Sequence, residues 1–479
     1  MDVANPDVIV STRLNNREIS PDARPVASLR LAERKPVNKK SDRILNPKAT
    51  ISLLLLALFV LITLPTGGAI ATLETATKSS ESTADLLTAL DESDLEILSK
   101  STPSKILKTL GRTAPKGRLK PGQTTQVDFT AEDGRDTRVS IYGPAGRHRS
   151  YGLILMLHGY GGNGRSLVTR SYQNFANKNG FIIVSPDAKK PAKGKWNEDL
   201  PEQLLGTPTQ HWWSYRSDGF VNGLIDDLCW KYPIDRNRVV ISGMSMGGWG
   251  SWNLGTRFSD RFCAIAPLAG GLCMRDYEAD ELDDRYKLLL GNLRWLPSYF
   301  VHGTDDNIVP ARFSQMIEEA LLEKEFDHVY EELDGVGHNL DLRGGGSILP
   351  GIHQWLTKKR RVLEPAEIEH HALNTDHGRQ HWIRIDEFED DSKPARVEAK
   401  IEKGNKIIIN SSNVTKMTVF ISNKLLKEKN KISVEWNGKE VHSEKVKETH
   451  EALVESWKGR RDPFLLHTRM IQLEDSPQD

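Results

Sequence analysis

"RVVISGMSMGGWGSWNLG", residues 238–255, passes from an apolar β-branched run into Gly-Met-Ser-Met-Gly and on into a helix-length segment. The pentad Gly243-Met244-Ser245-Met246-Gly247 fits G-x-S-x-G, a pattern too short to decide anything alone. Its setting decides. A strand ahead of Ser245 and a helix behind it describe a sharp turn that lifts a serine hydroxyl clear of a sheet. Glycines on either side leave room where a side chain would meet the neighbouring strand or helix.

The flanking sequence repeats this alternation. Short apolar runs stand at 152–159, 181–188, 238–243, 263–270, 297–303 and 328–335, with helix-length amphipathic segments between them. Solidly apolar strands separated by helices predict a mostly parallel sheet covered on both faces, an α/β architecture. Ahead of them, "TTQVDFTA" and "TRVSIYGP" flank "EDGRD" and read as a hairpin. After about Arg361 the texture changes to strands of alternating polarity, such as Val397, Ala399 and Ile401 against Glu398, Lys400 and Glu402. With the turn signal Asn437-Gly438, this predicts a small antiparallel sandwich. The histidines His370, His371, His377 and His381 show no metal-ligand spacing and are expected at its surface.

The chain of 479 residues thus divides into five expected parts. Residues 1–48 are a basic N-terminal region, 49–71 a signal peptide or membrane anchor, and 72–120 a linker. Residues 121–361 form the α/β domain and 362–479 a β-rich module. The second part rests on "ISLLLLALFVLITL" (51–64), which follows Lys35, Lys39, Lys40, Arg43 and Lys48 and precedes Ala69-Ile70-Ala71. A basic flank, an apolar run and small residues together describe export, whether the segment is cleaved or retained. The protein is expected to be periplasmic or extracellular. A formal net charge of zero offers no basic surface for nucleic acid. Cys229, Cys263 and Cys273 are too few for a disulfide scaffold; Cys263 and Cys273 pair in an oxidising compartment or stay as buried thiols.

A serine hydroxyl is a weak nucleophile, so a base is needed, and a group to orient that base. In a parallel α/β sheet these partners follow in the order acid, then histidine, each after a later strand. "FVHGTDDNIVP" supplies Asp305 and Asp306 after one strand, and "LDGVGHNLDL" supplies His338 after the last. "LHGYGGNG" (157–164) supplies a glycine-rich turn, and the backbone N–H groups of Tyr160 and Met246 are the expected oxyanion donors. The long stretch 189–216 carries Trp212 and Trp213, expected either to line a substrate cleft or to anchor the core.

These motifs, with "FSDRFCAIAPLAGG", carry a resemblance. Residues from roughly 121 to 360 resemble exported α/β-hydrolases of the polyhydroxyalkanoate-depolymerase and feruloyl-esterase type, and also the catalytic domain of prolyl-oligopeptidase-like proteins. The resemblance implies an α/β-hydrolase fold and a Ser245–His338–Asp306 triad, because the pattern His-Gly-Thr-x-Asp maps the acid onto Asp306. It implies acyl transfer to Ser245 with no cofactor or metal, on a small-molecule or polymer ester. A peptidase is the nearest alternative, although 72–120 is too short for the β-propeller that large oligopeptidases carry there. A non-catalytic envelope binding protein is the alternative of another class, and the complete set of partners argues against it.

Overall fold

The computed structural model describes residues 101–111, 115, 117–130, 136–146, 148–188, 212, 216–273, 281–340, 348–427, 431–458 and 460–475. The basic region, the apolar segment 49–71, Trp213 and the stretch 189–211 lie outside these residues. No helix among the described residues is long and apolar enough to cross a membrane.

The expected strands form one sheet. In chain order they are β1 (Gln123–Thr130), β2 (Asp136–Gly143), β3 (Tyr151–Leu157), β4 (Phe181–Pro186), β5 (Ile234–Met244), β6 (Ala264–Leu268), β7 (Ser298–Gly303) and β8 (His328–Leu333). Their spatial order is β1-β2-β4-β3-β5-β6-β7-β8. β1 and β2 form the antiparallel hairpin, and every pair from β4 onward in that order is parallel. The solid apolar pattern has a simple cause. Leu153, Leu155 and Leu157 pack into a core on one face, and Ile154 and Met156 into a second core on the other. Each residue of β3 therefore needs an apolar side chain whichever way it points.

Four helices bear on the site and its supports: α1 (Pro103–Leu110), α2 (Arg216–Lys231), α3 (Met246–Arg257) and α4 (Arg312–Glu323). The expected linker thus contains structure. Thr102 caps α1, which buries Ile106 and Leu110 against Leu453, Val454 and Trp457 near the chain's end.

Beyond Arg361 two further sheets share one core, with Ile383, Ile385, Met417 and Val419 from one and Val397, Ala399, Ile407 and Ile409 from the other. Asn437 and Gly438 take positive φ (48° and 81°) in the tight turn between antiparallel strands Ile432–Trp436 and Lys439–Glu444. Not every pairing is antiparallel: Lys406–Ile409 run parallel to Ser433–Trp436.

The histidines depart from expectation. His370, His371, His377 and His381 are all buried. The reason is tertiary: the eight-stranded unit covers this side of the module. His377 Nε2 lies 2.8 Å from Asp218 Oδ2, and Asp218 also pairs with Arg257 Nη1 at 3.0 Å. The backbone N–H of His381 donates to Asp260 Oδ2 at 2.6 Å, while Arg460 pairs with the same carboxylate. Asn292 acts as a rivet. Its Nδ2 donates to the carbonyls of Thr256 and His371, each at 2.8 Å, and its Oδ1 accepts from His371 N–H at 2.7 Å. Buried polar groups are tolerated when paired in this way, and removal of one partner is costly.

Cys263 is a buried free thiol, so the Cys263–Cys273 disulfide does not form. Burial pushes the Cys229 thiol up to about 11 and that of Cys263 to about 12, which keeps both un-ionised and unreactive.

Candidate active site

Ser245 sits between β5 and α3 with φ 57° and ψ −121°, a conformation that L residues rarely adopt. Such strain costs about 1–3 kcal/mol and persists only where the surroundings enforce it. Two hydrogen bonds enforce it here. Ser245 N–H donates to Leu268 O at the end of β6 (2.9 Å), and Ser245 O accepts from Trp249 N–H (3.0 Å), which opens α3. The glycines are needed for close approach. A Cβ on Gly243 or Gly247 would run into the carbonyl oxygen of Leu157, the last residue of β3. Helix α3 can start directly above the sheet only because both positions are bare.

The other candidates reach the same edge of the sheet, at the C-terminal ends of parallel strands. β7 leads into Thr304-Asp305-Asp306, and β8 leads into His338. The two loops are stitched together: Thr304 N–H donates to Leu333 O (3.0 Å) and Asp305 N–H to Val336 O (3.0 Å). Gly335 N–H donates to Thr304 Oγ1 at 2.8 Å. Held this way, His338 Nδ1 donates to Asp306 Oδ2 at 2.7 Å. That bond occupies Nδ1 and leaves Nε2 as the nitrogen able to exchange a proton. The Ser245 hydroxyl and the His338 ring are not hydrogen-bonded to each other. Catalytic hydrogen bonds of this kind often tighten only around substrate.

The adjacent acids separate cleanly. Asp306 is buried, whereas Asp305 is exposed and, among the described residues, accepts only from Thr304 Oγ1 (3.3 Å). Asp306 Oδ1 accepts from the N–H groups of Ile308 (2.9 Å) and Val309 (2.8 Å). Burial alone would raise its pKa. Hydrogen bonds from His302, Val309, His338 and Ile308 outweigh burial and hold the carboxyl well below the usual carboxylate range. It is therefore a fixed negative charge beside the imidazole.

The glycine-rich turn after β3 completes the edge. His158 is buried, and its Nε2 accepts from Ala188 N–H (2.9 Å), so Nδ1 must carry the proton that faces Gly159 O (2.8 Å). Burial lowers its pKa, only partly offset by the Gly159 hydrogen bond and by Asp187. This neutral ring braces the turn. A Cβ added to Gly159 would lie 3.5 Å from Ser245 Cβ, so the turn passes directly over the serine.

Residues 140–355, which span this whole arrangement, match the phospholipase/carboxylesterase family. This part of the chain has the α/β-hydrolase fold. The bifunctional acetylxylan esterase/xylanase XynS20E of Neocallimastix patriciarum is 25% identical over 183 residues, which cover 38% of this chain and 23% of that protein. An uncharacterized secreted protein of Arthroderma benhamiae is 28% identical over 116 residues, covering 21% and 12%. The chain thus spans less than a quarter of the length of either relative. Among solved structures, a ferulic acid esterase from Anaeromyces mucronatus is 19% identical with a TM-score of 0.38, covering 52% of this chain and 94% of that one. A thermostable esterase is 22% identical with a TM-score of 0.37, covering 50% and 63%.

Within the α/β-hydrolase domain the remaining candidates fall in different places. Met246 is buried at the first position of α3, and Tyr160 stands out from the turn with 62% of its surface exposed. Trp212 corrects the substrate-lining expectation. Its side chain is fully buried, its Nε1 donates to His158 O at 2.9 Å, and its ring packs edge-on to His158. It supports the glycine-rich turn from below and cannot offer a face to substrate. One residue of the edge went unassigned in the sequence. His302, the first residue of His-Gly-Thr-Asp-Asp, is buried and lies 3.4 Å from Asp306 Oδ2 through its Nε2. Its four-residue spacing from Asp306 was the available signal.

Proposed function

We propose that this chain is an exported serine hydrolase that cleaves carboxylic esters by acyl transfer to Ser245. The observation that carries the reading is the His338–Asp306 bond, made at the same sheet edge as a serine held in a strained turn. In this mechanism His338 Nε2 takes the Ser245 proton as the oxygen attacks the ester carbonyl. Asp306 holds the ring and stabilises its charged form. The N–H groups of Met246 and Tyr160 receive the oxyanion: Met246 lies at a helix start, where N–H groups have no intrahelical acceptor, and Tyr160 follows Gly159 over the serine. His338 then returns the proton to the departing alcohol, and water repeats the sequence to release the acid.

The family match and the acetylxylan esterase relative favour an ester over an amide, and a polymer-linked acyl group as the natural substrate. The basic flank and apolar run before residue 72, together with the secreted relative, favour export. On this reading the hydrolase occupies 121–361, and 362–479 is a module seated on it. The test is a fluorophosphonate probe on the full chain, with peptide mapping. Labelling of Ser245, and a loss of about 10³-fold or more in ester turnover for Ser245→Ala, are the expected results. Labelling elsewhere, or near-normal turnover in that variant, rejects the nucleophile.

A further inference from the structure

We infer that His302 is a positioning residue for Asp306, so that the acid is held by two histidines rather than one; this rests on the triad reading above. His302 is wholly buried at the end of β7, on the strand that delivers the acid. Its ring is pinned on both nitrogens. Nε2 lies 2.7 Å from Val309 O, which can only accept, so Nε2 is the donor. Nδ1 faces Ser314 Oγ on α4 at 2.7 Å, and a hydroxyl can donate to it.

That donor does two things. It fixes Val309, whose own N–H binds Asp306 Oδ1, and so closes the loop 306–309 around the carboxylate. It also reaches Asp306 Oδ2 at 3.4 Å, the oxygen that accepts from His338. Asp306 is thereby held by backbone on one oxygen, while the other accepts from His338 at 2.7 Å and faces His302 Nε2 at 3.4 Å. Without His302 the loop loses its central tie, and the carboxylate is free to rotate away from His338. Misplacement by about 1 Å in such a group can cost up to about 10²-fold in rate.

The experiment compares His302→Leu, which removes the donor, with His302→Gln, whose side-chain N–H stands where Nε2 stood. Two readouts are taken on the full chain: kcat and KM on 4-nitrophenyl acetate, and the low-field proton resonance of the His338–Asp306 bond, assigned by its loss in Asp306→Asn. His302→Leu is expected to lower kcat by about tenfold or more with KM within about twofold, and to shift or broaden the resonance. His302→Gln is expected to recover most of both. A folded His302→Leu with unchanged kcat and an unmoved resonance overturns the inference. A loss that Gln does not recover assigns the effect to packing and overturns it too. Should His302→Leu fail to fold, Ser314→Ala carries the test by removing only the hydroxyl on Nδ1. A shifted resonance and a few-fold loss in kcat support the role; no change in either refutes it. The resonance reports on Asp306 whether or not Ser245 is the nucleophile, so failure of that assignment remains distinguishable.

Discussion

Lowering the pH from 6.5 to 5 should destabilise this protein sharply, because several of its histidines are buried uncharged. Burial pushes His353 down to about 4 and His370 to about 3; it pushes His381 to about 4 against the opposing charge of Asp260. Unfolded, each imidazole takes up a proton as pH falls through about 6.5; folded, none of the three does so before about pH 4. The unfolded chain therefore binds more protons throughout that window, and stability falls as pH falls. Burial also lowers His158 and His467, which adds to the effect, while Asp226 and Glu331, raised by burial, subtract from it. The three strongly lowered histidines by themselves account for three protons. At full uptake three protons correspond to about 4 kcal/mol per pH unit; because each unfolded imidazole is half protonated at pH 6.5, the loss between pH 6.5 and 5 is about 5 kcal/mol. That is comparable with the whole stability of a typical protein, about 5–15 kcal/mol. Urea unfolding followed by tryptophan fluorescence at pH 7, 6 and 5 measures the slope directly. Replacing His370 by Asn should reduce it by about 1.4 kcal/mol per unit. A slope below about 1.4 kcal/mol per unit, less than one proton, would refute the argument.

Other expectations rest on single contacts. Asp306→Asn should lower kcat by up to about 10⁴-fold, and Asp305→Asn by less than about tenfold, in steady-state ester hydrolysis. A large loss at Asp305 with a mild one at Asp306 would reverse the assignment. Arg460→Met leaves Asp260 buried without its ion-pair partner and should cost about 3–5 kcal/mol in urea unfolding. Adding Asp260→Asn should recover part of that loss, and strict additivity of the two changes would show that the pair does not interact. Gly247→Ala drives a methyl into Leu157 O and should cost about 1–3 kcal/mol, together with most of the Ser245 labelling by a fluorophosphonate. Wild-type labelling in that variant would mean that the turn can relax.

Much of this protein is local in origin and was therefore legible without a fold. The parallel sheet follows from runs such as those of β3 and β4, since only burial on both faces demands apolar residues at every position. The strand-to-helix turn at Ser245 is legible for a related reason: Gly243 and Gly247 mark where backbones must nearly touch. The order acid then histidine placed Asp306 and His338 on neighbouring loops, because successive parallel strands present their C-terminal ends to one edge. Three things only tertiary structure decided. Trp212 reads equally as a cleft residue or a core anchor in a long aromatic loop, and the space beneath His158 decides for the core. His302 reads as a strand residue until the loop folds back and brings Asp306 and Val309 onto its Nε2. His370, His371, His377 and His381 read as surface groups because polar residues usually are. Burial of His371, His377 and His381 depends on Asn292, Asp218 and Asp260, more than seventy positions away, which supply the hydrogen bonds that offset its cost. Periodicity records which face of an element is buried, but it cannot record which distant polar partner waits on the other side.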